Sequence, residues 1–180
     1  MDYSEKKLSR EDVYRGRIIT VHVDEVELCN GRKSKREVVD HPGGVSIVPV
    51  DGMGNVYLVR QYRYPVGDSL LEIPAGKLEY GEDPLQCAVR ELSEETGFSA
   101  GKYTYLGGVS PSPGYCRETI HIYLATELSA GQSHPDENEF LDVVKMPFAD
   151  AFRLAASNEM TDGKTIIGLL RAAQYLKQES

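Results

Sequence analysis

Tryptophan is absent and cysteine is scarce: Cys29, Cys87 and Cys116 are the three thiols in 180 residues. An odd number with no CxxC pair argues against a disulfide framework or a zinc cluster and favours a reducing, cytoplasmic setting. No apolar run approaches the roughly 20 residues that span a bilayer. The first ten residues are charged rather than apolar, so neither export nor membrane anchoring is expected. Positive charge is short as well, with 20 Lys and Arg against 28 Asp and Glu and a net charge of −8. That balance disfavours nucleic acid and anionic membrane as partners. Repeats, low-complexity tracts and Pro/Ser-rich linkers are also missing. Three nucleotide or acyl-transfer signatures are lacking too: the P-loop GxxxxGK[ST], a GxGxxG between strand and helix, and the serine elbow GxSxG.

What is present suffices for a core without staples, since 41% of residues are hydrophobic and a chain this long is close to one ordinary domain. Residues 17–28 read as a strand that turns at Asn30-Gly31 into another over 35–40, an Asn-Gly hairpin. The apolar run Val45–Val50, a Gly-containing turn at 51–55 and Val56–Val59 read as a sheet core. Further strands are predicted near 69–73, 103–108, 118–125 and 140–145, and helical spacing marks 148–157 and 162–176. Strands mixed with a few helices imply an α/β or α+β layered fold. The natural division is a strand-rich extension over 1–42 followed by a main domain over 43–180.

The most informative stretch runs from Gly76 to Phe98. Asp83-Pro84 is a helix entry and Gly97 a natural stop, which predicts a helix over about 84–96. At about 100° per residue, Leu85, Ala88, Val89 and Leu92 cluster on one side. Glu91, Glu94 and Glu95 cover an arc on the other, so one face is expected to pack and the other to collect acid. A solvated helical face is one reading of that arc. Against it, carboxylates at i, i+3 and i+4 repel by up to roughly 3 kcal/mol per pair at an effective dielectric near 20. A divalent cation reverses the sign of that interaction, and an oxygen-only ligand set selects Mg²⁺ or Mn²⁺.

Gly76, five residues, Glu82, seven residues, then Arg90-Glu91-Leu92-Ser93-Glu94-Glu95-Thr96-Gly97-Phe98 resembles the Nudix box at every specified position. The resemblance implies a Nudix-type α/β/α sandwich with a mixed sheet, extended by the N-terminal antiparallel hairpin. It also implies a pyrophosphohydrolase acting on a nucleoside diphosphate linked to another moiety. Carried over residue by residue, Glu91 and Glu95 become principal metal ligands and Glu94 a further ligand or polarising acid. Arg90 becomes the residue that orients the glutamates, and the Ala75 carbonyl a backbone ligand. The chemistry agrees, since Mg²⁺ neutralises the oxygens around a pyrophosphate phosphorus and acidifies water.

Residues outside the box resemble the ADP-ribose pyrophosphatase branch of that family: Leu71-Glu72-Ile73-Pro74-Ala75-Gly76, Gln61-Tyr62-Arg63 and Ser112-Pro113-Gly114-Tyr115, with Pro113 fifteen positions after Phe98. The implied reaction is hydrolysis of ADP-ribose to AMP and ribose 5-phosphate. Alternatives are another nucleoside diphosphate sugar, a dinucleotide, or a non-catalytic nucleotide sensor. Arg63 would reach the diphosphate or terminal ribose. Pro113 and Gly114 would line the substrate, and Arg36 would stand where relatives place adenine contacts. The branch's tryptophan there is missing, so adenine would instead meet Tyr14, Arg36 or another aromatic. The acidic, turn-rich segment from His134 to Phe140 resembles the loop that supplies a metal-binding or water-activating glutamate, with Glu139 the first choice and Glu137 the second. The branch further implies a homodimer built through strands at about 13–40.

Overall fold

The computed structural model describes residues 2–131 and 140–178. Its strands are β1 (Lys6–Arg15), β2 (Thr20–Glu27), β3 (Lys33–Asp40), β4 (Gly44–Pro49), β5 (Asn55–Arg63), β6 (Asp68–Glu72) and β7 (Ala75–Lys77). The helix α1 (Pro84–Thr96) follows, then β8 (Phe98–Val109), β9 (Cys116–Arg117), β10 (Ile120–Ala130) and β11 (Leu141–Pro147). The helices α2 (Phe148–Ala156) and α3 (Gly163–Gln178) close the chain. Two compact units result, Met1–Gly43 with Ser110–Thr119, and Gly44–Val109 with Ile120–Ser180.

In the first unit the strands lie in the order β1-β2-β3-β9. The expected hairpin is β2 with β3, antiparallel from Thr20 opposite Asp40 to Glu27 opposite Lys33. Gly31 takes φ 78° in its turn, a conformation that glycine adopts without a Cβ penalty. Strand β1 lies inside the strand-rich extension but ahead of the first strand that the pattern marks. It pairs antiparallel with β2, and all ten of its residues are exposed, so no polar alternation marked it. The segment 110–119, assigned above to the main domain, is part of this unit.

The second unit holds a mixed sheet, β7-β4-β10-β8, in which β4 and β10 are parallel, and an antiparallel sheet, β11-β5-β6. Side chains of β4 alternate between faces. Val45 and Ile47 pack with Cys87, Ala88 and Leu92 of α1, whereas Val48 joins Leu58, Ile73, Leu124 and the α3 residues Leu169 and Ala172. The mixed sheet is thus covered by α1 on one face and by α3 on the other, with α2 in the same cluster as α3. Gly168 allows α3 to approach closely: a Cβ there would stand 2.8 Å from Ile73 and 3.2 Å from Val48.

Candidate functional site

The loop and helix that carry the acid begin at β7. Asp83 caps α1 by accepting from the amides of Leu85 (2.9 Å) and Gln86 (3.2 Å), and Pro84 opens the first turn. At the other end Gly97, at φ 73°, donates its amide to the Ser93 carbonyl. Both ends lie where Asp83-Pro84 and Gly97 predicted them.

The rotation of α1 corrects the expectation drawn from periodicity. Leu85 and Val89 are 42% and 44% exposed, whereas Glu91 and Glu95 are 8% and 3% exposed. Ala88 and Leu92 pack as expected, but Cys87, Glu91 and Glu95 complete the inward face. Two carboxylates are therefore turned toward β7, and burial of a charge requires partners.

Gly76 provides the space for one of them. A Cβ at position 76 would fall 1.8 Å from the Glu91 carboxyl carbon and the same distance from Oε1. Only a residue without a side chain leaves room for that carboxylate. Glu95 is fixed by the neighbouring residue, since the Ala75 amide donates to its Oε2 at 3.0 Å. The register explains why that amide is available. The Ile47 amide donates to the Pro74 carbonyl, which makes Ser46 and Ala75 a non-hydrogen-bonded pair of the β4–β7 ladder. In such a pair both the N–H and the C=O turn away from the partner strand, so the Ala75 carbonyl lies on the same side as the amide that holds Glu95.

Arg90 binds the acids together. Its Nη1 donates to Glu91 Oε1 at 2.7 Å and to Glu94 Oε2 at 2.9 Å, while Nε and Nη2 grip Glu82 at 3.1 and 3.2 Å. The Arg90 pair holds the Glu82 carboxyl down at about 2. Burial, aided by a bond to Glu82, pushes the Cys87 thiol up to about 12, too high for a thiolate role. Arg90 is thus placed to orient Glu91 and Glu94. Among the described residues no three His, Cys, Asp or Glu side chains converge as a ready ion cage, and Arg90 Nη1 occupies oxygens of both Glu91 and Glu94. The donor chemistry nevertheless fits a hard divalent cation: carboxylate oxygens from one helix beside an outward-turned backbone carbonyl.

Arg63, at the end of β5, pairs with a carboxylate of β6. Its Nε and Nη2 form a fork on Glu72, at 2.8 and 2.7 Å. Glu72 is 1% exposed and is also bound by Lys164 at the start of α3. Burial pushes the Glu72 carboxyl up, but Arg63 and Lys164 outweigh burial and hold it below its ordinary value. Lys164 also pairs with Asp162 at 3.0 Å, and Thr165 accepts from the Ile73 amide at 2.8 Å. Glu72 was seen in the sequence only as part of a motif. Its partner Lys164, 92 residues further on, left no local signal.

Arg36, Pro113 and Gly114 belong to the first unit. Arg36 donates through Nε to Glu5 at 2.9 Å and through Nη1 to Ser34 at 3.0 Å. Pro113 and Gly114 are exposed in a turn closed by the Cys116 amide on the Ser112 carbonyl. Glu137, Glu139 and His134 lie outside the described residues.

This chain belongs to the Nudix family: the NUDIX domain matches residues 40–167, and a nucleoside diphosphate sugar hydrolase N-terminal domain matches residues 5–39. An ADP-ribose pyrophosphatase of Bacillus subtilis (strain 168) is 43% identical over 175 residues, spanning 96% of this chain and 92% of its own. A methanol dehydrogenase activator of Bacillus methanolicus is 41% identical over 97% of this chain and 94% of its own. Among solved structures, a crystal structure of an ADP compounds hydrolase superposes with a TM-score of 0.86 at 28% identity, covering 98% of this chain and 96% of that one.

Proposed function

We propose that this protein is a divalent-metal-dependent ADP-ribose pyrophosphatase, adding water across the P–O–P bridge of ADP-ribose to give AMP and ribose 5-phosphate. The observation that carries the reading is the notch at Gly76, which admits the Glu91 carboxylate beside Ala75 and Glu95. Glu91, Glu94, Glu95 and the Ala75 carbonyl would hold the cation, with Glu139 as a further ligand. Mg²⁺ is the expected ion and Mn²⁺ a substitute. A bound cation supplies charge neutralisation at the diphosphate and a more acidic water. The chain's own part is positional: Arg90 orients Glu91 and Glu94, Arg63 donates toward the diphosphate, and Glu139, with Glu137 second, takes the proton of the attacking water. Arg36, Pro113 and Gly114 contact the nucleotide in this reading.

The same proposal includes a homodimer formed through the N-terminal strands. Support comes from β1, an edge strand whose Val13 and Tyr14 are 61% and 56% exposed, an arrangement that natural proteins generally cover. A cytoplasmic setting is supported by three unpaired cysteines. Among the described residues no helix is long and apolar enough to cross a membrane.

The test is release of AMP from ADP-ribose with Mg²⁺, with Mn²⁺ and with chelator, against a panel of other nucleoside diphosphate sugars and dinucleotides. Cation-dependent AMP release fastest from ADP-ribose is expected. Faster cleavage of another panel member would reassign the substrate, and cleavage undiminished by chelator would remove the metal role. Light scattering at micromolar concentration decides the dimer.

A further inference from the structure

We propose that Glu72 is a positioning residue that acts through Arg63 to organise diphosphate binding, an inference that rests on the reading above of Arg63 as a substrate contact. Three observations carry it. First, Glu72 is a carboxylate 1% exposed, and it holds two cations, Arg63 and Lys164. Maintaining a buried ionic cluster is costly, and an apolar core of similar volume serves stability as well or better, so packing alone gives no reason for it. Second, the pairing is directional. Glu72 takes the Nε and Nη2 edge of Arg63 as a two-pronged grip, which fixes the plane of the guanidinium. Nη1 makes no hydrogen bond among the described residues, and the side chain is still 37% exposed. Third, Glu72 lies three residues before Ala75, whose amide holds Glu95 at 3.0 Å, so the clamp and the acid of α1 are tied to one short stretch of chain. A free arginine would lose several rotamers on meeting a phosphate; one already clamped from behind has that cost removed in advance.

Glu72 touches no substrate in this scheme, and its effect passes through Arg63. The guanidinium's outer nitrogen is presented to diphosphate oxygens while the inner edge stays on Glu72. Lys164 binds the same carboxylate and is itself matched by Asp162, so the cluster holds two cations and two carboxylates.

The decisive experiment is a double-mutant cycle on binding of α,β-methylene ADP, which carries an uncleavable diphosphate, measured by calorimetry on the full chain alongside ADP-ribose kinetics. E72Q keeps the volume of the side chain but removes the charge and one acceptor. The expected result is a rise of about tenfold or more in Kd for the analogue and in KM for ADP-ribose, with kcat changed less than about threefold. R63A should cost at least as much, and R63A/E72Q should cost no more than R63A alone, because residues acting through one contact are non-additive. Additive losses in the cycle, or an E72Q variant that binds the analogue like the parent, would overturn the proposal. Thermal melts accompany each variant, and if E72Q fails to fold, E72D takes its place in the same cycle. Should the parent bind the analogue and show the cycle but release no AMP from ADP-ribose, the assigned reaction fails while the role of Glu72 stands. No binding of the analogue by the parent defeats both.

Discussion

Replacing Gly76 with Ala tests how the acid of α1 is accommodated, because the three atoms nearest the added methyl group all belong to the Glu91 carboxylate. The methyl would lie 1.8 Å from the Glu91 carboxyl carbon and from Oε1, and 2.4 Å from Oε2. Carbon atoms in contact settle near 3.5 Å, so the carboxylate must retreat by about 1.7 Å. Gly76 has no left-handed φ, so alanine suits the backbone of β7 and the first collision is with Glu91. Glu91 gives way by leaving the notch, which also breaks its 2.7 Å bond with Arg90. Overpacking of this kind costs about 1–3 kcal/mol of stability, leaving the fold intact. On the proposed role of Glu91 as a metal ligand the functional effect is larger: moving it by more than about 1 Å lowers turnover on the order of 100-fold. Affinity for Mn²⁺, followed by paramagnetic resonance, should fall at least about tenfold, or 1.4 kcal/mol. G76A/E91D retracts the carboxylate by about 1.5 Å, one carbon–carbon bond, and should recover part of the Mn²⁺ affinity lost in G76A. A G76A protein that binds Mn²⁺ and hydrolyses substrate like the parent would show that the notch has no part in holding the ligand.

Three further outcomes are expected. The Glu82 carboxyl is held at about 2 in the folded chain against an ordinary value of 4.5, so the stability it contributes is complete above about pH 4.5 and disappears as pH falls toward 2. E82Q should therefore flatten the acid limb of the stability profile in that window in urea titrations, with little change in the slope at neutral pH. T165V removes the acceptor of the buried Ile73 amide and should cost about 1–3 kcal/mol by chemical denaturation; a neutral result would mean that the amide finds another partner. On α1, L92A should cost about 2–5 kcal/mol, whereas V89K should stay within about 0.5 kcal/mol, and equal losses would contradict the observed rotation of the helix.

The elements that were legible from sequence are those whose signals are local. The ends of α1 follow from Asp83-Pro84 and Gly97, and the β2–β3 hairpin from Asn30-Gly31. The apolar runs marked β4 and the start of β5, although β5 continues to Arg63 through residues of mixed character. Strand β1, by contrast, pairs along one edge and is exposed along its whole length. Nothing in its composition is selected by burial, so the pattern Lys-Lys-Leu-Ser-Arg-Glu-Asp-Val-Tyr-Arg carries no period of two. The Glu72 cluster was invisible for a different reason. It depends on a hairpin that brings Arg63 back to Glu72 and on α3 arriving with Lys164, and neither partner is adjacent in sequence.

The rotation of α1 shows where hydrophobic periodicity fails and why. Periodicity treats each glutamate as a group that must be hydrated, which directs Glu91 and Glu95 outward and Leu85 and Val89 inward. That rule holds when the helix meets an apolar surface. Here it meets a strand edge with an unused amide at Ala75 and a missing side chain at Gly76, and its own Arg90 guanidinium bonds Glu91. Each of these lowers the cost of burying a carboxylate, and Ala88 and Leu92 keep enough apolar contact to anchor the helix. Two exposed aliphatic side chains are a small loss by comparison, since isolated surface apolar groups are ordinary. The glycine at 76 was the readable clue: it occupies neither a turn nor a cap, and a strand glycine without such a role marks the close approach of another group.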